Sequence, residues 1–112
     1  MAASERIPQL QVEGLQNLEV TLHENSSKRR KIIMFIGAID ESGESWCSDC
    51  RDAEPVVEKA LESAPADSVF VLVDVGDKAS WKDPENEFRK HTEYLLTGIP
   101  TIIESGTVCV LL

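Results

Sequence analysis

The chain has 112 residues, enough for one compact domain with a single core, and its 42% hydrophobic content excludes a disordered chain. Its net charge of −9 disfavours nucleic acid and anionic membrane surfaces as partners, because both are held by Lys and Arg. The one basic run, Lys28-Arg29-Arg30-Lys31, reads as a solvated lead-in to the strand after it rather than a phosphate patch. Met1–Gln11 mixes Glu5, Arg6, Pro8 and Gln9 with few apolar residues, so no secretory signal is read there. Ile32–Ile39, the longest apolar stretch, falls far short of the ~20 residues of a membrane span. The expectation is a soluble, cytosolic protein, where a C-x-x-C pair points to catalysis or metal binding rather than to a structural bridge.

In chain order, Ile7–Val12 is expected as a short edge strand with Pro8 near its start. Gly14 to about Asn25 places Leu15, Leu18, Val20 and Leu22 among polar residues, the pattern of an amphipathic helix. Lys31–Ile39 is a nearly continuous, β-branched apolar run that fits a central parallel strand buried on both faces. Asp40–Ser45, with Gly43 inside it, is a turn. A helix follows from Cys47 to about Ala64, with Val56, Val57, Ala60 and Leu61 on its apolar side, a kink expected at Pro55 and a stop at Pro65. Ser68–Val75 is a second buried strand and Gly76–Lys82 a loop. Asp83-Pro84 then has the form of a helix cap and first position, the helix reaching about Thr92. Gly98–Glu104 is a further strand, Ser105-Gly106 a hairpin turn and Thr107–Leu112 a last strand. The order β-α-β-α-β-α-β-β predicts a single α/β domain over residues 1–112, a mixed sheet with helices on its faces.

The chemistry concentrates in Trp46-Cys47-Ser48-Asp49-Cys50, between an apolar strand and the start of a helix. Residues at this spacing share one helix face with Cβ atoms roughly 5–6 Å apart. A disulfide wants about 3.5–4.5 Å, so a first turn closes the bridge with slight adjustment. Unsatisfied backbone N–H groups and the positive end of the helix dipole favour the first sulfur as thiolate. Other readings of the pair are half of a zinc site, a cluster bridged across a dimer, or two ordinary helix cysteines. Zinc needs two more ligands, and Cys109, His23 and His91 stand at no ligand spacing.

These motifs resemble the thioredoxin fold and, more narrowly, the thioredoxin domain-containing protein 17 family. The general likeness rests on Trp46-Cys47-x-x-Cys50 after a buried strand, on Pro55, and on Gly98-Ile99-Pro100-Thr101 opening a strand. The narrower one rests on the lengthened loop Asp40–Ser45, on Ala53-Glu54-Pro55-Val56-Val57, and on Val75-Gly76-Asp77-Lys78 followed by Trp81-Lys82-Asp83-Pro84 and Phe88-Arg89-Lys90. The resemblance implies a cytosolic disulfide reductase without a bound cofactor or metal, acting on protein or small-molecule disulfides. Thioredoxin reductase and NADPH would supply its electrons. It also implies that Cys47 is the nucleophile, Cys50 the resolving thiol, and Ile99-Pro100 a cis bond facing them, with the Ile99 backbone free to pair with an extended substrate.

Ser48 stands where the family usually has proline, which shifts redox poise while leaving the exchange chemistry in place. Trp46 is a candidate wall of the substrate surface, with plain packing as the alternative, and Asp49 a candidate for charge selection of substrates. Trp81 is expected to pack its loop, and His23 and His91 to lie at the surface. The family's fold ordinarily continues into a final helix, so an uncovered sheet face is expected here, with a dimer or aggregation risk for an otherwise monomeric protein. Thioredoxins also carry a buried acid on the strand before the motif. This chain has Met34, Phe35 and Ile36 there, and Asp40 and Glu41 only in the loop, so no proton acceptor for Cys50 is assigned. A different class of function remains open beside the enzyme: a non-catalytic module that docks a partner through its sheet face or its C-x-x-C surface.

Overall fold

The computed structural model describes residues 7–105. Four strands form one mixed sheet: β1 (Gln9–Glu13), β2 (Arg30–Ile36), β3 (Ser68–Asp74) and β4 (Thr101–Glu104), in the order β1-β3-β2-β4. β1 and β2 flank β3 in parallel, and β4 runs antiparallel to β2 with Phe35 opposite Thr101. The apolar runs occupy the sheet centre, where side chains on both faces need cover.

Period-two alternation divides the core into two layers. Ile33 and Phe35 of β2 and Val69, Val71 and Val73 of β3 point to one face, where they meet Leu18 of α1 (Leu15–Glu24), Trp81, Phe88 and Leu96. Ile32, Met34, Ile36, Phe70 and Ile102 point to the other, against Cys50 and Leu61 of α2 (Ser48–Leu61). A helix therefore covers each face, and the cysteine pair lies at the start of the helix on the second. Phe35 meets Phe88 edge-on, with ring centroids 5.6 Å apart, which locks the first layer.

Several elements differ from expectation. β1 and β2 are shifted or shortened at their ends, β2 stopping at Ile36 because the chain turns into the bridge between Ile39 and Ser45. α2 runs through Pro55 as one helix and ends at Leu61, before Pro65, in a tightened turn where Ser63 N–H bonds Ala60 O and Ala64 N–H bonds Leu61 O. Residues 76–82 are not all loop: α3 (Lys78–Lys82) forms there, capped by the Asp77 carboxylate on Ser80 N–H at 2.8 Å.

Asp83-Pro84 does not open a helix. Asp83 is extended (ψ 123°), as the ring of a following proline demands, and its carboxylate turns back to Glu85 N–H. The helix beyond it, α4 (Glu87–Lys90), is capped instead by Asn86, whose side-chain oxygen accepts from Phe88 N–H at 2.9 Å. β4 begins at Thr101, not Gly98, just after the cis Ile99-Pro100 bond, and its ladder with β2 starts at Thr101 opposite Phe35. Gly106, the strand expected at Thr107–Leu112 and Cys109 lie outside the described residues.

Alongside α2, Val56, Val57, Ala60 and Leu61 face Ile32 and Ile102 across an apolar groove of about 390 Å³. Val56 of α2 is 69% exposed there, whereas Ile32 and Ile102 of the sheet are buried at 8% each. No helix among the described residues is long and apolar enough to cross a membrane.

Candidate functional site

Cys47 is the N-cap of α2. Its backbone is extended (φ −86°, ψ 113°), which turns its sulfur back over the first turn to accept the Cys50 N–H at 3.3 Å. An orphan amide of the helix start is thereby satisfied by sulfur. Both cysteines are buried, Cys47 at 8% exposed and Cys50 at 1%, so the first is the less enclosed of the two. Both are free thiols.

The surroundings of Cys50 explain its proton affinity. Met34, Ile36, Leu61 and Ile102 are buried in the same apolar layer, and that burial pushes the Cys50 thiol up to about 12. The neighbouring Cys47 side chain pushes the same way, and the nearby Gly37 backbone and Ser45 side chain oppose it. A buried sulfur that keeps its proton suits a thiol that must wait.

Ile99 and Pro100 stand opposite the pair. Their peptide bond is cis, and the Ile99 carbonyl lies 4.0 Å from Cys47 Sγ. Both residues are half-buried and line a hollow with Leu95 and Thr97. Thus Cys47, Cys50, Ile99 and Pro100, far apart in sequence, converge on one spot. Ser48 and Asp49, exposed on the first turn, flank it.

Trp46 is half-buried and anchored. Its indole N–H donates to Gly76 O at 3.0 Å, and its ring lies on the backbone of Gly37 so closely that a Cβ there would sit 2.5 Å from Cε2. Gly37 is therefore a close-approach glycine, marked in the sequence only by its place at the end of an apolar run. Ser45 is the second residue that sequence reasoning missed. It is 1% exposed; its hydroxyl donates to Gly37 O at 2.7 Å and accepts from Cys47 N–H at 3.2 Å. A serine two positions before Cys47 is a turn-forming signal, although its burial is not visible in sequence.

The other candidates have structural roles. Asp40 does not fold back toward Cys50: it is exposed and accepts from Ser42 N–H, Ser42 Oγ–H and Glu44 N–H, bonds that hold its carboxyl below the usual range. Trp81 is buried under the Arg89 guanidinium, 3.9 Å from the ring centroid, and packs its loop as expected. His23 is exposed, but His91 is not a simple surface residue. Its side chain is 17% exposed, stacks on Tyr94 at 4.5 Å, and accepts from Glu93 N–H. Among the described residues no group of three or more His, Cys, Asp or Glu could hold a metal ion.

Known proteins are similar to this chain over most of its length. The family profile described as "Thioredoxin domain-containing protein 17-like, thioredoxin domain" matches residues 11–112. The chain is 37% identical to thioredoxin domain-containing protein 17 of Mus musculus over 99 residues, which is 88% of this chain and 78% of that one. It is 36% identical to the Homo sapiens protein of that name over 102 residues (91% and 80%). With the Danio rerio protein the identity is 48% over 73 residues (65% and 58%). An N-capping cysteine, a buried partner three residues on and a cis-proline facing them thus lie within a redox-related thioredoxin fold, and the chain belongs to the thioredoxin domain-containing protein 17-like family.

Proposed function

We propose that the chain is a protein-disulfide reductase that works by thiol–disulfide exchange through Cys47 and Cys50. The observation that carries this reading is the division of labour within the pair. Cys47 is the less enclosed of the two and its Sγ accepts an amide N–H, and Cys50 is enclosed with its thiol pushed up to about 12. Cys47 thiolate attacks one sulfur of a substrate R–S–S–R′, giving Cys47–S–S–R and releasing R′–S⁻. Cys50 then attacks the Cys47 sulfur, and R leaves as a thiol once protonated. Two electrons pass to the substrate and the chain is left with a Cys47–Cys50 disulfide. Thioredoxin reductase returns those two electrons from NADPH in the cytosol; the chain needs no resident cofactor for the exchange.

The exposed rim fits this chemistry. The Ile99 carbonyl beside Cys47 offers main-chain pairing to an extended substrate, and Ser48 and Asp49 are the side chains next to an incoming disulfide. Asp49 selects against acidic substrates by like-charge repulsion. A binding role without turnover has one observation in its favour, the apolar groove along α2. One assay separates the two: the protein mixed with NADPH, thioredoxin reductase and a disulfide substrate, beside a Cys47→Ser control. Wild-type turnover well above the control supports the reductase, and equal rates leave only the binding role.

A further inference from the structure

Cys47 reaches the helix cap by way of the loop Asp40–Ser45, and the last peptides of that approach are fixed group by group. The bridge between Ile39 and Ser45 closes the loop, and Trp46 N–H donates to Ala38 O at 3.2 Å. The Ser45 hydroxyl donates to Gly37 O at 2.7 Å, and the same oxygen accepts from Cys47 N–H at 3.2 Å. These contacts tie the approach to the chain just past β2. Another comes back from the helix: Arg51 Nη1 donates to Ser45 O at 2.6 Å, six residues earlier. Arg51 N–H also donates to Cys47 O at 3.0 Å, so this residue holds the carbonyls on either side of Trp46. Helix stability does not account for the side chain. Arg51 is exposed near the N-terminal end of α2, where a cation opposes the helix dipole.

We propose that Arg51 is a positioning residue for Cys47: its guanidinium straps the Ser45 carbonyl to α2 and so keeps the nucleophile at the cap, with its sulfur on the Cys50 N–H. This rests on the exchange reading of the pair. The strap acts through the peptide between Ser45 and Trp46. Arg51 holds the oxygen of that peptide and Ala38 O holds its N–H, so the plane is gripped from both edges. Without the side chain, the carbonyl exchanges a charged donor for water and the plane is gripped from one edge. The Ser45 hydroxyl then loses its alignment with Cys47 N–H. With it goes the backbone setting (φ −86°, ψ 113°) that aims Sγ at the Cys50 amide 3.3 Å away. Arg51 bonds main-chain atoms of Ser45 and Cys47 rather than a sulfur, which makes its action on the reaction indirect. A guanidinium suits the task, because a charge-assisted hydrogen bond is short and roughly twice as strong as a neutral one.

Two chromogenic disulfides separate this role from a direct contact with substrate. Dithiodipyridine is uncharged at neutral pH, whereas dithiobis(nitrobenzoate) is a dianion. In a Cys109→Ser background each releases one thiol when Cys47 attacks and a second when Cys50 closes the bridge. Arg51→Met keeps the apolar stem without the donors, and should slow the first release about fivefold with both reagents. Arg51→Lys restores a charged donor and should be at least about twofold faster than the methionine variant. Hydrogen exchange of the Cys47 amide, followed by NMR, should quicken about threefold or more in Arg51→Met, which a role in substrate binding alone would not produce. Arg51→Ala takes the place of the methionine variant if that one fails to fold. A loss confined to the dianion would make Arg51 an anion contact and overturn the proposal. An unchanged first release, unchanged exchange at Cys47, or a lysine variant no faster than the methionine one would overturn it too. A parent protein that forms no Cys47–Cys50 disulfide with either reagent would instead refute the exchange reading.

Discussion

Gly37→Ala is the substitution whose consequence the structure fixes most closely. A Cβ at that position would lie 2.5 Å from Trp46 Cε2, 2.7 Å from Nε1 and 2.8 Å from Cζ2. Carbon atoms in contact sit about 3.5–4.0 Å apart, so the indole must retreat by roughly 1 Å. It cannot do so and keep its 3.0 Å hydrogen bond to Gly76 O. Overpacking costs about 1–3 kcal/mol and the lost hydrogen bond about 1. Stiffening of the unfolded chain by alanine returns about 0.4–1 kcal/mol, leaving a net loss near 2–3. Urea unfolding followed by circular dichroism reads the loss. Repeating the substitution in a Trp46→Ala background isolates its cause: with the ring gone, Gly37→Ala should cost under about 0.5 kcal/mol. An equal cost in both backgrounds would show that the ring–backbone contact is not what demands glycine.

Three further outcomes follow from the same geometry. In a Cys109→Ser background at neutral pH, iodoacetamide should label Cys47 before Cys50, as peptide mass spectrometry would show, because Cys47 is the less enclosed and the Cys50 thiol is held protonated by burial. Equal labelling would contradict the assigned roles. The reduced protein should lose stability as pH rises between ~8.5, where an unfolded cysteine gives up its proton, and about 12, where folded Cys50 does; below that window the contribution is fully present. Cys50→Ala should flatten this slope in urea midpoints taken across the window; the Tyr94 hydroxyl, also raised by burial, adds a slope common to both proteins. Asn86→Ala should cost about 1–2 kcal/mol in urea unfolding, since its side chain caps α4 and bonds Val75 O and Ser80 O.

The parts of this fold that read directly from sequence are those in which local pattern and tertiary environment agree. β2 from Ile32 to Ile36 and β3 from Val69 to Val73 are apolar at successive positions because both faces are covered, and Cys47 announces a helix start because it stands at the cap position just before a C-x-x-C helix turn. Pro100 stood out through its motif. The stretch from Gly76 to Thr92 was misread for a physical reason. Asp-Pro carries the signature of a helix cap, but the same dipeptide also ends one turn and begins another. The real caps, Asp77 and Asn86, serve helices of five and four residues, too short for any periodicity to register.

Ser45 and Gly37 were illegible for a different reason. Each matters through a partner eight or nine positions away in the chain: the Ser45 hydroxyl on Gly37 O, and the Trp46 ring on the Gly37 backbone. Only the Asp40–Ser45 loop, closed by the bridge between Ile39 and Ser45, brings them together. A buried serine and an exposed one look alike in sequence.

Redox titration shows whether Cys47 and Cys50 form a reversible two-electron couple. The protein is equilibrated in graded dithiothreitol or glutathione buffers, quenched with acid, and its thiols and disulfides are assigned by mass spectrometry. The account predicts one transition between the dithiol and a Cys47–Cys50 disulfide, with the ratio changing tenfold per about 30 mV. Oxidation that leaves these two sulfurs unjoined, or joins either of them to Cys109 instead, would contradict it.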